Sequence, residues 1–388
     1  MTADTPARDD RAALRSAIDG ADRELLRLLA DRRRLGEALG ALKAGESTPV
    51  RDVERERDVI ARAMKAGMEQ GLDEGFVESL FQLIIDDSLR RQRAGLDARA
   101  DRMLTEARVA YLGGPGSYSH FAAHTHFSGR YSAVSPLIKR DYPAIFRAVE
   151  QGEADYGFVP IENTATGGIN EVYDLLRDTK LKIAGERHQR IEHALLGKST
   201  DLGAVRTVYG HAQALRQAQV WLNARPELKK IPVSSTTRAL ERALDEGPTV
   251  AAVGAPEAAG LFGLNVIEPS ISDLVGNETR FVALALAPAS ASPLLPCKTS
   301  LVFVTSDQSG SLVSALEGFK AEGVNLTKLE SRPVAGAPWE QMFFLDFEGH
   351  EEDAAVKRAL EGLGNAAKTV KSFGSYGSDR LKPTAREG

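Results

Sequence analysis

Leu14, Ile18, Ala21, Leu25, Leu28, Leu35, Leu39 and Leu42 recur at alternating steps of three and four residues. That spacing predicts a long amphipathic helix with a coiled-coil-like seam. Residues 8 to about 93 hold no strand signal, so the seam belongs to an all-helical region. Two cations interrupt it. Arg32 stands where another Leu is expected, and Lys43 follows 11 residues on, at nearly the same angle and roughly 16 Å further along the axis. A buried charge needs a counter-charge, and either carboxylates of the protein or a small dianion held between the two would supply it. Arg15 is rotated about 100° from Arg32 on the helical wheel. It cannot share their pocket in one straight helix, but it can reach a pocket in a partner chain.

Ser47-Thr48-Pro49 separates this helix from the next, with Pro49 near the first helical position. Asp52 and Glu56 lie four apart on one face with Arg55 beside them, a pattern that also fits surface salt-bridge lacing. A third helix, Glu74 to about Gln92, carries Val77, Leu80, Phe81, Ile84 and Ile85, and its stripe continues into Ser88 and Gln92.

The set Arg15, Arg32, Lys43, Asp52, Arg55, Glu56, Ser88 and Gln92 resembles the ligand set of the all-helical chorismate mutases. The runs Pro49-Val50-Arg51-Asp52, Glu54-Arg55-Glu56-Arg57 and Leu80-Phe81-Gln82-Leu83-Ile84-Ile85 carry the likeness. The resemblance implies an intertwined helical homodimer, with Arg15 donated to the partner's site. It implies rearrangement of chorismate to prephenate without nucleophile, metal or cofactor. Arg15 and Arg32, with Arg55 close by, would clamp the two carboxylates in the reactive conformer. Lys43 and Gln92 would donate to the ether oxygen as charge grows there. Glu56 and Asp52 would hold the ring hydroxyl, with Glu56 protonated or sharing a proton near the ether oxygen.

A chain of 388 residues suggests two or three domains. Its 43% hydrophobic and 27% charged residues are those of a soluble globular protein, and a net charge of −5 gives no reason to propose nucleic acid as a partner. The polar start, Met1 to Arg15, is not a secretory signal, and no apolar run approaches the ~20 residues that span a membrane. Cys297 is the only cysteine, which excludes an internal disulfide and fits a reducing, cytoplasmic location.

Residues 108–287 alternate short apolar strands with helical stretches, the α/β pattern. Strands are expected at Arg108–Leu112, Tyr156–Pro160, Lys182–Glu186, Ala194–Leu196, Thr207–Tyr209, Val250–Val253 and Phe281–Leu286. Helices fit near Ile145–Gln151, Ala212–Leu222 and Thr236–Asp245. That suffices for two lobes with a ligand cleft between them. Gly113-Gly114-Pro115-Gly116-Ser117-Tyr118-Ser119-His120 nearly matches a dinucleotide fingerprint, but Ser119 replaces the third Gly. A turn whose Ser117 and Ser119 hydroxyls and helix-start amides face an anion is the better reading. His120, His124 and His126 lack a carboxylate at ligand spacing, which favours a solvated helix face over a metal site.

The Gly-Ser-Tyr-Ser-His turn, Pro160-Ile161-Glu162-Asn163-Thr164, and Asn277-Glu278-Thr279-Arg280-Phe281 resemble prephenate dehydratase. The likeness implies a two-lobed fold similar to the periplasmic binding proteins, and conversion of prephenate to phenylpyruvate, carbon dioxide and water. It gives Thr279 the proton-handling role and Arg280 a carboxylate, although strand alternation sends Arg280 opposite Thr279. Glu162, Asn163, Thr164, His211 and Gln213 are further candidates for the cleft wall.

A Pro/Ala/Ser linker, residues 287–296, precedes a strand–helix–strand–strand–helix–strand pattern at Thr299–Thr305, Ser309–Glu322, Val324–Glu330, Trp339–Phe347, Glu352–Leu363 and Lys368–Phe373. That order is ferredoxin-like. Gly310-Ser311-Leu312-Val313 and Leu329-Glu330-Ser331-Arg332-Pro333 resemble the two phenylalanine-sensing motifs of ACT-type regulatory domains, with Ser311 in place of the more usual Ala. The implied sensing residues are Gly310, Leu312, Val313, Glu330, Ser331 and Arg332. The whole pattern resembles the bifunctional chorismate mutase/prephenate dehydratase family, feedback-inhibited by L-phenylalanine. It predicts a mutase domain at 8–97, a linker at 98–107, a dehydratase domain at 108–286, a linker at 287–298 and an ACT domain at 299–378. Two rivals fit the same pattern: one activity lost or retuned to arogenate, and a non-catalytic protein that captures a small anion.

Overall fold

The computed structural model describes residues 6–45, 53–100, 106–289, 296–306, 308–334 and 340–379. The chain divides into two compact units, one within residues 1–100 and one within 101–380.

The smaller unit is helical: α1 (Pro6–Gly45), α2 (Val53–Glu69) and α3 (Glu74–Ala100). Gly71, with φ at 78°, closes the turn between the last two, and Asp73 Oδ1 caps α3 by accepting from the Phe76 N–H at 2.9 Å. The α2–α3 contact is tight, since a Cβ on Gly67 would come within 2.6 Å of Val77. Ile60, Val77 and Ile85 are buried there. Helix α3 runs on to Ala100, so the charged stretch expected to begin a linker at residue 98 is helix extension. The seam of α1 has another fate. Leu14, Ile18, Leu25, Leu28, Leu35 and Leu39 each keep half or more of their surface open within the chain.

The larger unit opens with β1 (Glu106–Leu112), α4 (Tyr118–Phe127), β2 (Ala133–Lys139), α5 (Tyr142–Glu150), β3 (Tyr156–Asn163), the two-residue β4 (Gly167–Gly168), α6 (Asn170–Asp178) and β5 (Lys182–Arg190). It then makes β6 (Ala194–Gly197), β7 (Thr207–His211), α7 (Ala212–Gln217), α8 (Gln219–Asn223), β8 (Lys229–Val233), α9 (Thr236–Asp245), β9 (Val250–Gly254), α10 (Ala258–Phe262) and β10 (Asn265–Glu268), before β11 (Glu278–Ala285). The first lobe's sheet has the order β2-β1-β3-β11-β5, with β4 added on β3, and the second lobe's is β10-β6-β9-β7-β8. β11 therefore returns to the first lobe, antiparallel to both β3 and β5. The two crossings between lobes are stitched together by Ile191 N–H to Asn277 O and Ile271 N–H to His193 O, both at 2.8 Å.

Besides the two-residue β4, the strands the pattern did not reveal are β2, β8 and β10, each at a sheet edge. Edge strands bury less surface and tolerate Pro, here Pro136 and Pro232, so no apolar run marks them.

After the linker come β12 (Cys297–Val304), α11 (Ser311–Ala321), β13 (Leu326–Pro333), β14 (Gln341–Glu348), α12 (Ala354–Ala366) and β15 (Thr369–Gly377). Their sheet is antiparallel in the order β13-β14-β12-β15, the ferredoxin-like one. β12 starts at Cys297, two residues before the expected strand. Both faces of this sheet are covered. Leu301, Phe303, Leu345 and Phe347 pack with residues of α11 and α12, while Val302, Met342, Phe344, Phe373 and Tyr376 share one core with Tyr173 and Leu176 of the first lobe.

Candidate functional site

Where the crossings meet, a cavity of about 300 Å³ opens between the lobes. Tyr118, Asn163, His193, His211, Gln217 and Thr279 are among the residues that line it. Thr279 and Asn163 are direct cross-strand partners, and the register of β11 with β3 then breaks, so that Phe281 pairs with Pro160. This bulge spares one residue, Ile161, and turns Pro160 to the side of Asn163; Pro160 and Phe281 both line the cavity.

The orientation of Asn163 follows from its partners. Its Oδ1 accepts from the Ala165 and Thr166 N–H groups at 2.9 and 3.1 Å. Its Nδ2 is thus the donor that meets Thr279 Oγ1 at 2.9 Å and Asn277 Oδ1 at 2.8 Å. Among the described residues, Thr279 Oγ1 accepts this bond and donates none, which leaves its hydrogen for the cavity.

A second polar chain forms the opposite wall. His193 Nε2 lies 2.9 Å from Gln217 Oε1, and its Nδ1 lies 3.0 Å from Tyr118 Oη. Burial holds the His193 pKa down, so the ring is neutral and has one donor and one acceptor. With Nε2 donating to Gln217, Nδ1 is the acceptor, and it shares the single Tyr118 hydroxyl hydrogen with the Glu192 carbonyl. The Gln217 amide nitrogen then remains for a ligand. Burial, and beside it Arg216, lowers the pKa of His211 at the rim.

The glycine turn has a steric purpose. A Cβ on Gly116 would lie 2.8 Å from both Leu240 and Phe262 of the second lobe, and one on Gly114 would meet Thr237 at 3.0 Å. Ser117 accepts from the His120 N–H as the cap of α4 and is not among the residues that line the cavity. The turn delivers Tyr118 instead. Of the three histidines expected on a solvated face, only His124 is exposed. His120 Nδ1 bonds Tyr111 Oη at 3.0 Å, and His126 packs on Phe158 at 5.4 Å between ring centroids.

Three cleft expectations are corrected. Arg280 and Glu162 point to the opposite face of the sheet, as strand alternation requires, and bond each other there at 3.0 Å. Thr164 braces the strand mouths, donating to Asn277 Oδ1 at 3.2 Å and accepting from the Glu278 N–H at 2.9 Å. None of the three lines the cavity, whereas His211 and Gln213 do.

In the helical unit, Arg32 Nη1 donates to Ser88 Oγ at 2.9 Å, joining two candidate ligands from α1 and α3. Burial lowers the pKa of this half-buried guanidinium, partly offset by Asp87. Glu56 is buried, while Arg15 and Arg55 are exposed. Lys43 and Gln92 lie on α1 and α3, their side chains outside the described residues, and Asp52 is outside them altogether.

A second cavity of about 230 Å³ in the carboxyl-terminal module is lined by Gly310, Ser311, Leu312 and Val313, with Thr305, Ser306, Gln308, Gln341 and Phe343. Glu330, Ser331 and Arg332 do not line it. They lie on the edge strand β13, where Arg332 bonds Asp174 at 3.0 Å.

Comparison with known proteins adds two family matches: chorismate mutase type II over residues 14–93 and prephenate dehydratase over 109–289. The bifunctional chorismate mutase/prephenate dehydratase of Escherichia coli K12 is 40% identical over 386 residues, covering 99% of both chains. Among solved structures, the quorum-quenching acylase GqqA superposes with a TM-score of 0.63 at 30% identity, over 70% of this chain and 98% of its own. The prephenate dehydratase of Arthrobacter aurescens, in complex with L-Phe, superposes with a TM-score of 0.62 at 29% identity, over 70% and 90%.

Proposed function

The chain belongs to the bifunctional chorismate mutase/prephenate dehydratase family, and from that premise we propose how its residues divide the two reactions. It converts chorismate to prephenate, and prephenate to phenylpyruvate with loss of water and carbon dioxide, in L-phenylalanine biosynthesis.

The observation that carries the dehydratase assignment is the Asn163–Thr279 bond inside the cavity between the lobes. The prephenate dianion takes up one proton and gives phenylpyruvate anion, carbon dioxide and water. As the ring carboxylate departs, its bonding pair enters the ring and expels the hydroxyl, which leaves as water. Thr279 hands over that proton, and the Asn163 amide supports the charge growing on its oxygen. Aromatisation supplies the driving force. The free amide nitrogen of Gln217 donates to a carboxylate.

In the mutase, Arg32, oriented by Ser88, grips one carboxylate of chorismate, with Arg15 and Arg55 on the other. Lys43 and Gln92 stabilise the ether oxygen, and Glu56 and Asp52 the ring hydroxyl. The open leucine seam of α1 supports a helical homodimer, because an apolar stripe of that length needs a partner face.

The carboxyl-terminal module is an ACT-type sensor in which Gly310, Leu312 and Val313 cradle L-phenylalanine. β13 is the open edge of its sheet, so Glu330, Ser331 and Arg332 are placed to complete that site from a second copy. The test supplies purified protein with chorismate and follows prephenate and phenylpyruvate separately. Absence of phenylpyruvate from added prephenate would sink the dehydratase assignment, and an unchanged mutase rate in Lys43→Ala would sink the helical pocket.

A further inference from the structure

The sheet face behind the dehydratase cavity carries a buried cluster of charges that the reaction does not use. Arg280 follows Thr279 in β11 and sends its guanidinium through to that face. There Nε donates to Glu186 Oε2 at 2.7 Å, Nη1 to Glu162 Oε1 at 3.0 Å and Asp346 Oδ2 at 2.5 Å, and Nη2 to Tyr376 Oη at 2.8 Å. Lys298 Nζ joins Glu186 at 2.8 Å. Glu162 passes its other oxygen to Lys328 Nζ at 2.5 Å, and Lys328 lies 3.6 Å from Glu330. Arg280, Glu162 and Glu186 belong to the catalytic lobe, and the other five residues to the carboxyl-terminal module.

Arg280 retains 4% of its exposure, Glu186 2% and Tyr376 none. Ions this deep are stable only while every partner stays in place, because moving one leaves another charge uncompensated. The module therefore cannot shift on the lobe without drawing Arg280 along. On one side the β11–β3 register breaks immediately after Arg280, while pairing with β5 continues through it, so Arg280 and Thr279 are carried on one strand segment. Thr279 is one peptide away.

We propose that Arg280 is a positioning residue for Thr279, and that the chain Glu330–Lys328–Glu162–Arg280 passes the state of the carboxyl-terminal module to the cavity. This rests on the assignment of Thr279 to dehydration and of the module to phenylalanine sensing. The line is continuous from the edge strand that carries the second sensing motif to the hydroxyl that moves the proton.

Two variants of the full-length protein test it. Arg280→Lys keeps the charge but cannot span four partners. Its kcat for phenylpyruvate from added prephenate should fall about tenfold, with KM within about threefold and the mutase rate unchanged, the signature of a displaced catalytic group. Lys328→Gln cuts the line at its outer link. Phenylalanine should still bind by calorimetry, within about threefold, while maximal inhibition drops by about half, because coupling and binding are separate quantities. A cluster that only holds the domains together would lower the melting temperature and leave both readouts at their wild-type values well below it. Either readout at its wild-type value overturns the proposal. Where Arg280→Lys does not fold, Tyr376→Phe removes a single hydroxyl and should lower kcat about threefold. Wild-type protein that makes no phenylpyruvate refutes the assignment of Thr279, and one that phenylalanine does not inhibit refutes the sensor. In both cases the variants are not what fails.

Discussion

In the helical unit, Arg32 and Ser88 meet across two helices while six residues of the α1 seam stand open to solvent. In the larger unit, Thr279 lies in a cavity lined by residues from both α/β lobes. Under the proposed function the first site draws on a second copy and the second on one chain. The difference has a physical root. A three-helix unit of under a hundred residues buries too little surface to enclose a dianion, whereas two α/β lobes create a cleft by being connected twice. The two activities should therefore respond oppositely to changes in assembly.

The sharpest separation is Thr279→Ala. Loss of the hydroxyl that accepts from Asn163 in the cavity should lower phenylpyruvate formation by about 10³-fold or more, with chorismate consumption unchanged. Arg32→Ala should do the converse. It removes a half-buried cation and should reduce the mutase rate about 10²-fold, leaving conversion of added prephenate intact. A variant that lost both activities at once would break the comparison. Leu28→Glu places a charge in the open seam. Light scattering should report a smaller particle, and the mutase rate should fall about tenfold with dehydration unaffected. A mutase rate that survives dissociation would mean that one copy suffices.

The larger unit should also be the acid-sensitive one. Burial alone would raise the Glu186 carboxyl, but Arg280 and Lys298 hold it well below the ordinary 4.5. Glu162 is likewise lowered against burial by Arg280 and Lys328. With folded pKa values below the unfolded ones, the unfolded chain takes protons first. The stabilisation is then complete above about pH 4.5 and is lost as pH falls below it. The urea midpoint of the dehydratase unit should fall steeply in that window. Glu186→Gln should flatten the slope while costing about 3–5 kcal/mol at neutral pH.

How far these features could be read beforehand depended on whether local spacing encoded them. The carboxyl-terminal module is legible because its two central strands, β12 and β14, are buried on both faces and carry the apolar runs Leu301–Val304 and Met342–Leu345. The edge strands with Pro136 and Pro232 are not. Thr279 and Asn163 are found by motif, and their pairing by nothing short of the β11–β3 register. Tyr118, His193 and Gln217 come from three distant segments, and no spacing joins them. Arg280 was expected to grip substrate because an Arg beside a catalytic hydroxyl suggests an anion. Its anions, Glu186 and Asp346, lie 94 and 66 residues away in sequence. Glu186 comes from the neighbouring strand β5 and Asp346 from the carboxyl-terminal sheet packed on the lobe, so only the tertiary structure reveals them.

The smallest expected effect concerns the sensor cavity. Ser311 stands where Ala is more usual, and its Oγ lies 3.1 Å from Ser306 Oγ, both residues lining the cavity. An aromatic side chain entering there meets polar surface that keeps a preference for water. Ser311→Ala makes that wall apolar and frees Ser306 to turn away. The phenylalanine concentration that halves phenylpyruvate formation should then fall about two- to threefold, in line with the modest net worth of one hydroxyl contact. The uninhibited kcat should stay unchanged, because the cavity lies in a different module from Thr279. A titration showing a higher half-inhibitory concentration would mean that the hydroxyl pair bonds the inhibitor rather than repelling its ring.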